Sequence, residues 1–118
     1  MLKAGEVMRV NETEVNNFLN TVKQLLKKKQ FILKNRKDGI NNISRYGLSI
    51  QDVKEAILSL NYKKYVSGPD EDYNHKGEYV WKFKKYIEGV VYYIKIQIPT
   101  SSKILIIISF HPDNIERD

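Results

Sequence analysis

Residues 81–98, WKFKKYIEGVVYYIKIQI, restrict the fold more than any other stretch of the chain. Two runs in which apolar and aromatic residues alternate with lysine and tyrosine meet at Glu88-Gly89. A period of two marks β-strands, because successive side chains point to opposite faces. Glu-Gly between two such runs suits a two-residue hairpin turn. The pattern therefore predicts strands over Tyr79–Ile87 and Gly89–Ile98. A third strand follows over Lys103–His111, after a turn at Pro99–Ser102. Three strands linked by hairpins form an antiparallel meander.

Alternation also sorts the faces. Trp81, Phe83, Tyr92, Ile94, Ile96, Ile98, Ile104, Ile106, Ile108 and Phe110 are expected on a core face. Lys82, Lys84, Tyr86, Val91, Tyr93, Lys95, Gln97, Leu105, Ile107, Ser109 and His111 are expected on the other. A two-residue turn sets Ile87 against Val90, Lys84 against Tyr93 and Lys82 against Lys95. If Ile98 pairs with Ile104, Tyr93 meets Ser109 and Val91 meets His111. Lys82, Lys84, Tyr93, Lys95, Ser109 and His111 then form one patch. Like charges directly opposite one another cost stability, and a bound anion would relieve that cost. The plainer reading is that lysines on the wet face of a sheet discourage edge-to-edge aggregation.

Upstream the period changes. Asn11 followed by Glu14 resembles a capping box. Val15, Phe18, Leu19, Val22, Leu25 and Leu26 then recur at helical spacing, which predicts a helix over Glu12–Lys29. Lys27, Lys28 and Lys29 suit the negative end of its dipole. Phe31-Ile32-Leu33 reads as a short edge strand, Asn35–Gly39 as a turn, and Asn41–Tyr46 as a short helix stopped by Gly47. Ser49 and Asp52 mark a second N-cap, with a helix over Ile50–Ser59. Tyr62–Ser67 is a candidate strand, broken by Gly68-Pro69-Asp70, and the acidic stretch Asp70–Glu78 is expected to be a loop. His75 in that loop has no second histidine at ligand spacing, so no metal site is expected.

At 118 residues and 42% hydrophobic content, one globular domain spanning 1–118 is expected, with a lead-in at 1–10 and a tail at 112–118. The absence of cysteine excludes disulfides and thiolate metal sites and fits the cytoplasm. No apolar leader is visible, and the longest apolar run, Ile104–Ile108, is too short to span a bilayer. Twenty lysines and arginines against 14 acids give a net charge of +6, which favours polyanionic partners such as nucleic acid, an acidic protein or an anionic membrane.

The residues of the lysine face suffice for RNA cleavage without a metal or other cofactor. The ribose 2′-hydroxyl attacks the adjacent phosphorus, a base takes its proton, an acid protonates the leaving 5′ oxygen, and cations steady the phosphoryl charge. His111 is the candidate acid, since imidazole titrates near neutrality. Lys82 and Lys84 are candidates for the phosphate, and Tyr93 for orienting the nucleophile or stacking a base. The chain holds no GxxxxGK[ST] loop, HExxH pair or GxSxG elbow. Two other classes fit the same residues: a basic RNA-binding protein that does not cut, and a protein-interaction module whose basic face docks an acidic partner.

The segments "YGLSIQDVKEAILSL" (46–60), "YVSGPDED" (65–72), "VWKFKKYIEGVVYYIKIQI" (80–98) and "IIISFH" (106–111) occur in this order. Together they resemble the MqsR-type toxins of bacterial type II toxin–antitoxin modules, over about Asn11–His111. The resemblance implies an α/β (α+β) fold like that of RelE-type toxins. That is a twisted antiparallel sheet ending in a three-stranded meander, with two or three helices on one face. It implies a metal-independent endoribonuclease acting on mRNA and silenced by a cognate antitoxin. By the same resemblance the functional tyrosine falls on Tyr93, the basic residue after "SF" on His111, where many relatives have lysine, and the polar residue after the tryptophan on Lys82. A tyrosine-lysine pair falls on Tyr65 and Val66, so its lysine is missing, although Lys64 lies just before. The expected catalytic set is Lys82, Tyr93 and His111, with Lys64, Tyr65, Lys84 and Lys95 binding RNA.

Overall fold

A computed structural model of the protein describes residues 10–115. The element order is α1 (Glu12–Lys27), β1 (Phe31–Leu33), a 3-10 turn (Ile43–Tyr46), α2 (Ile50–Leu58), a 3-10 turn (Tyr62–Lys64), β2 (Tyr65–Asp72), β3 (His75–Ile87), β4 (Val90–Gln97) and β5 (Leu105–Pro112). The strands form one five-stranded sheet in the order β1-β5-β4-β3-β2. The C-terminal meander is present, and the fold is α+β. The sheet is mixed, not wholly antiparallel, because β1 runs parallel to β5 with Ile32 opposite Ile106. The long excursion from β1 through α2 and the hairpins allows that parallel return, which a tight turn does not.

Both helices pack on one face. Val15, Leu19, Val22 and Leu26 of α1 and Val53 and Ile57 of α2 meet Phe83, Ile94, Ile96, Leu105, Ile107 and Phe110 of the sheet in one buried cluster. Phe18 stacks on Trp81 with ring centroids 4.1 Å apart. Each fully buried aliphatic or aromatic side chain contributes roughly 1.5–3 kcal/mol. The helix starts follow the sequence: Asn11 Oδ1 accepts from Glu14 N, and Ser49 and Asp52 form a reciprocal capping box.

The β3–β4 register is the expected one, with Lys82 opposite Lys95 and Lys84 opposite Tyr93. The turn places both Glu88 and Gly89 at positive φ (47° and 87°), as the tightest hairpins require. The β4–β5 register differs from expectation. Tyr93 pairs with His111 and Lys95 with Ser109, but Ile96 pairs with Ile107, so Ile108 is the extra residue of a bulge. The slip reverses the first half of β5: Leu105 and Ile107 enter the core, and Ile106 and Ile108 turn to the lysine face. Past the bulge the expected alternation is restored, two residues out of register, with Phe110 inward and Ser109 and His111 on the lysine face.

The expected loop over Asp70–Glu78 is instead a hairpin. β2 continues through the cis Gly68-Pro69 bond to Asp72, and β3 begins at His75. At Gly68 the two strands approach so closely that a Cβ would sit 2.6 Å from Val80 O, which only glycine avoids. Pro112 closes β5, and Asp113 N donates to Val91 O (2.8 Å), so the first residues assigned to a tail belong to the sheet. The lead-in at 1–9 and the tail at 116–118 lie outside the described residues. No helix among the described residues is long and apolar enough to cross a membrane.

Candidate functional site

The site is the sheet face opposite the helices. Pairing across β3, β4 and β5 sets Lys82 beside Lys95 and Lys95 beside Ser109, with Tyr93 beside His111 one step further along. Of the expected catalytic set, Lys82, Tyr93 and His111 thus share one face. Their exposure differs. Lys82 and Lys95 are partly open, Tyr93 is 7% exposed and His111 is fully buried. The Tyr93 and His111 rings lie 5.4 Å apart, and His111 Nδ1 donates to Pro112 O (2.9 Å). That bond places a proton on Nδ1 and fixes the ring's orientation. With no exposed surface, the His111 ring does not meet solvent in this conformation.

The expected RNA-binding residues divide. Lys95 sits at the centre of the face. Lys84 is engaged by Asp113 at 3.0 Å, a partly exposed pair that offsets its charge locally. Tyr65 lies on the opposite side, in the core, against Phe83 and Trp81, with its hydroxyl donating to Gly68 O (2.6 Å). Its pairing with Phe83 fixes that side, since partners across a ladder share a face. In this structure it holds the start of β2 from within the core. Lys64 stands apart in the 3-10 turn before β2, and Val66 is the bulged residue between the Tyr65 and Ser67 pairings.

Two cations were not legible in the sequence. Lys34 follows β1 directly, and Arg36 belongs to the segment read only as a turn. The parallel pairing of β1 with β5 carries both over the lysine face, where Arg36 Nη1 donates to Ser109 Oγ (3.0 Å) and Nη2 meets Asp38 (3.1 Å). Lys34, Arg36, Lys82 and Lys95 are therefore neighbours. The consequence is visible at Lys95. Burial, then repulsion from Lys82, Arg36 and Lys34, pulls its ammonium below the usual lysine range, and Asp72 offsets only part of this.

Asn41 holds the bulge. It is 6% exposed, and its Nδ2 donates to Lys34 O (2.9 Å) and Ile108 O (2.8 Å) while its Oδ1 accepts from Phe110 N (3.0 Å). β1 ends at Leu33, so this one amide supplies the ladder bonds that a longer β1 would have made.

At the other end, the tip of the β2–β3 hairpin returns to the sheet. Asp72 accepts from Gln97 Nε2 (2.9 Å) and from Asn74 N (3.0 Å), and its other neighbour is His75 Nδ1 at 3.3 Å. Burial pushes the Asp72 carboxyl up, but the bonds from Gln97, Asn74 and His75 together outweigh it and hold the group below its ordinary value. His75 pairs with this carboxylate, and among the described residues no three histidine, cysteine or acidic side chains cluster as a metal would need.

A family model described as "Motility quorum-sensing regulator, toxin of MqsA" matches residues 15–112, from the first turn of α1 to the end of β5. No curated protein matches the chain.

Proposed function

The chain belongs to the MqsR toxin family, and from that premise we propose that it is an endoribonuclease that cuts mRNA without a metal ion. As a family member it is the toxin of a toxin–antitoxin pair, and its protein partner is an antitoxin of the kind the family description calls MqsA. The observation that supports RNA as the target is the clustering of Lys34, Arg36 and Lys82 around Lys95, on the face the helices leave open. Four cations held this close repel one another, and a phosphodiester relieves the repulsion. On this reading the site of action is the cytoplasm, where mRNA is.

The chemistry follows from the placement. Lys82, Lys34 and Arg36 hold the phosphoryl oxygens and stabilise the charge that grows on them. Lys95, with its amine made easier to deprotonate, takes the 2′-hydroxyl proton. The 2′-oxygen bonds to phosphorus, the bond to the 5′ oxygen breaks, and the Tyr93 hydroxyl protonates the departing oxygen. The products are a 2′,3′-cyclic phosphate and a 5′-hydroxyl. His111, expected from the sequence to be the acid itself, is fully buried beside Tyr93. We give it a positioning role: held by Pro112 O, it fixes the Tyr93 ring.

The test uses defined RNA in EDTA with mapped ends. Cyclic phosphate ends are expected, reduced about a hundredfold or more in Tyr93→Phe, the low end of what a proton-transfer group supplies. RNA that is retarded but intact would make the protein a binder and not a nuclease.

A further inference from the structure

The lysine face is not uniformly cationic. Beside Lys95 it opens into a recess of about 370 Å3, near the lower end of small-molecule sites. Its floor is apolar: Ile32 of β1 with Ile106 and Ile108 of β5. These isoleucines face outward because of the bulge and the parallel edge strand, and Ile32 remains 52% exposed. One lip carries Lys34 and Lys95. The other carries Asp72 and Gln97, brought there by the returning hairpin.

We propose that this recess is a subsite for one nucleobase of the bound RNA strand, with Lys34 on its phosphate and Asp72 and Gln97 at the edge of the base. It rests on the reading of this face as an RNA surface. Three aliphatic side chains on a largely charged and polar face match the flat surface of a base, and Lys34 stands on the side where its phosphate must lie. The far lip is rich in acceptors. Asp72 stays ionised, and a carboxylate offers about four acceptor positions, three of which lie against Gln97, Asn74 and His75. Gln97 donates one N–H to Asp72, and its carbonyl oxygen adds a further acceptor to this lip. Acceptors select bases that present an exocyclic amino group, adenine, cytosine or guanine, over uracil, whose edge is flanked by carbonyl oxygens.

The test measures binding of uncleavable 2′-deoxy oligonucleotides of single base, oligo-dA, oligo-dC and oligo-dU, to the full chain. Oligo-dA and oligo-dC should bind about tenfold tighter than oligo-dU, the equivalent of one well-made hydrogen bond. Ile106→Trp, which fills the recess, should bring the three within about twofold while the salt dependence stays unchanged, since that reports phosphate contacts alone. Ile32→Trp, at an exposed edge position, should do the same should Ile106→Trp not fold. Equal affinities in the wild type, or a preference that survives both variants, would overturn the subsite. A base preference without cleavage of the matching RNAs would refute the nuclease and leave the subsite standing, whereas cleavage with no base preference would do the reverse.

Discussion

Replacing Asn41 by alanine removes one side chain and leaves three backbone groups without their partners: Lys34 O, Ile108 O and Phe110 N. A buried group left unsatisfied costs about 1–3 kcal/mol. The two carbonyls retain a second lone pair, and a small cavity admits water, so the full sum is not reached. The Phe110 N–H has no such relief. A loss of roughly 3 kcal/mol is expected, a large share of the 5–15 kcal/mol typical of a domain. It should lower Tm by about 10 °C or more. Urea unfolding gives the value directly, and an unchanged m confirms that stability alone has moved. Asn41→Asp provides the internal control. It keeps the acceptor for Phe110 N but presents a carboxylate to two carbonyl oxygens, so it should be no more stable than the alanine variant. A loss under about 1 kcal/mol for Asn41→Ala, or a clear recovery with aspartate, would refute the idea that this amide substitutes for the missing end of β1.

Lys82→Ala should weaken RNA binding uniformly across sequences and reduce the slope of log affinity against log salt by about 0.7, the single-strand value for one phosphate contact; an unchanged slope would remove Lys82 from the phosphate site. Lys95 has its folded-state pKa lowered by burial and then by Lys82, so the unfolded chain binds its proton more tightly and stability rises with pH between the folded and unfolded values. Lys95→Met should therefore raise the urea midpoint at pH 7, and the gain should shrink as the pH approaches the ordinary lysine value of about 10.4; a gain independent of pH would mean that packing, not charge, is the cause. The Asp72 carboxyl is held low in the folded chain, so its contribution is present above the ordinary carboxylate range and fades as the pH falls through the folded value. Asp72→Asn should accordingly be destabilising near neutrality and nearly neutral in acid, read by the same unfolding assay. Glu88 sits at a φ of 47°, and Glu88→Gly should stabilise the hairpin by roughly 0.5–1 kcal/mol, since left-handed backbone costs side-chain-bearing residues about 1–2 kcal/mol; a lower Tm would show that the turn is not strained there.

Local rules carried the reading a long way. Helical spacing and caps placed both helices within two residues of their ends, because Asn11, Ser49 and the apolar stripes act within a few positions of one another. The two-residue turn set the β3–β4 register, and with it Lys82, Lys95 and Tyr93 on one face, because so short a connection leaves no other pairing. Longer connections leave no such local record. The segment between β4 and β5 leaves their register open, and the bulge at Ile108 depends on an amide from Asn41, far away in the chain. Alternation alone therefore put Ile106 and Ile108 in the core when they form the floor of a surface recess.

The sequence by itself determined the two helices, the β3–β4 hairpin and the charge of the open face, since each follows from backbone geometry between near neighbours. Only the tertiary structure decided which cations meet there. Arg36 and Lys34 reach Lys95 through the parallel pairing of β1 with β5, and Asp72 reaches Gln97 by the return of the hairpin. Tyr65 was drawn into the core, and His111 was buried beside Tyr93, by the packing of distant strands. Such contacts arise when chain segments remote in sequence compete to bury apolar surface, and no local period records the outcome.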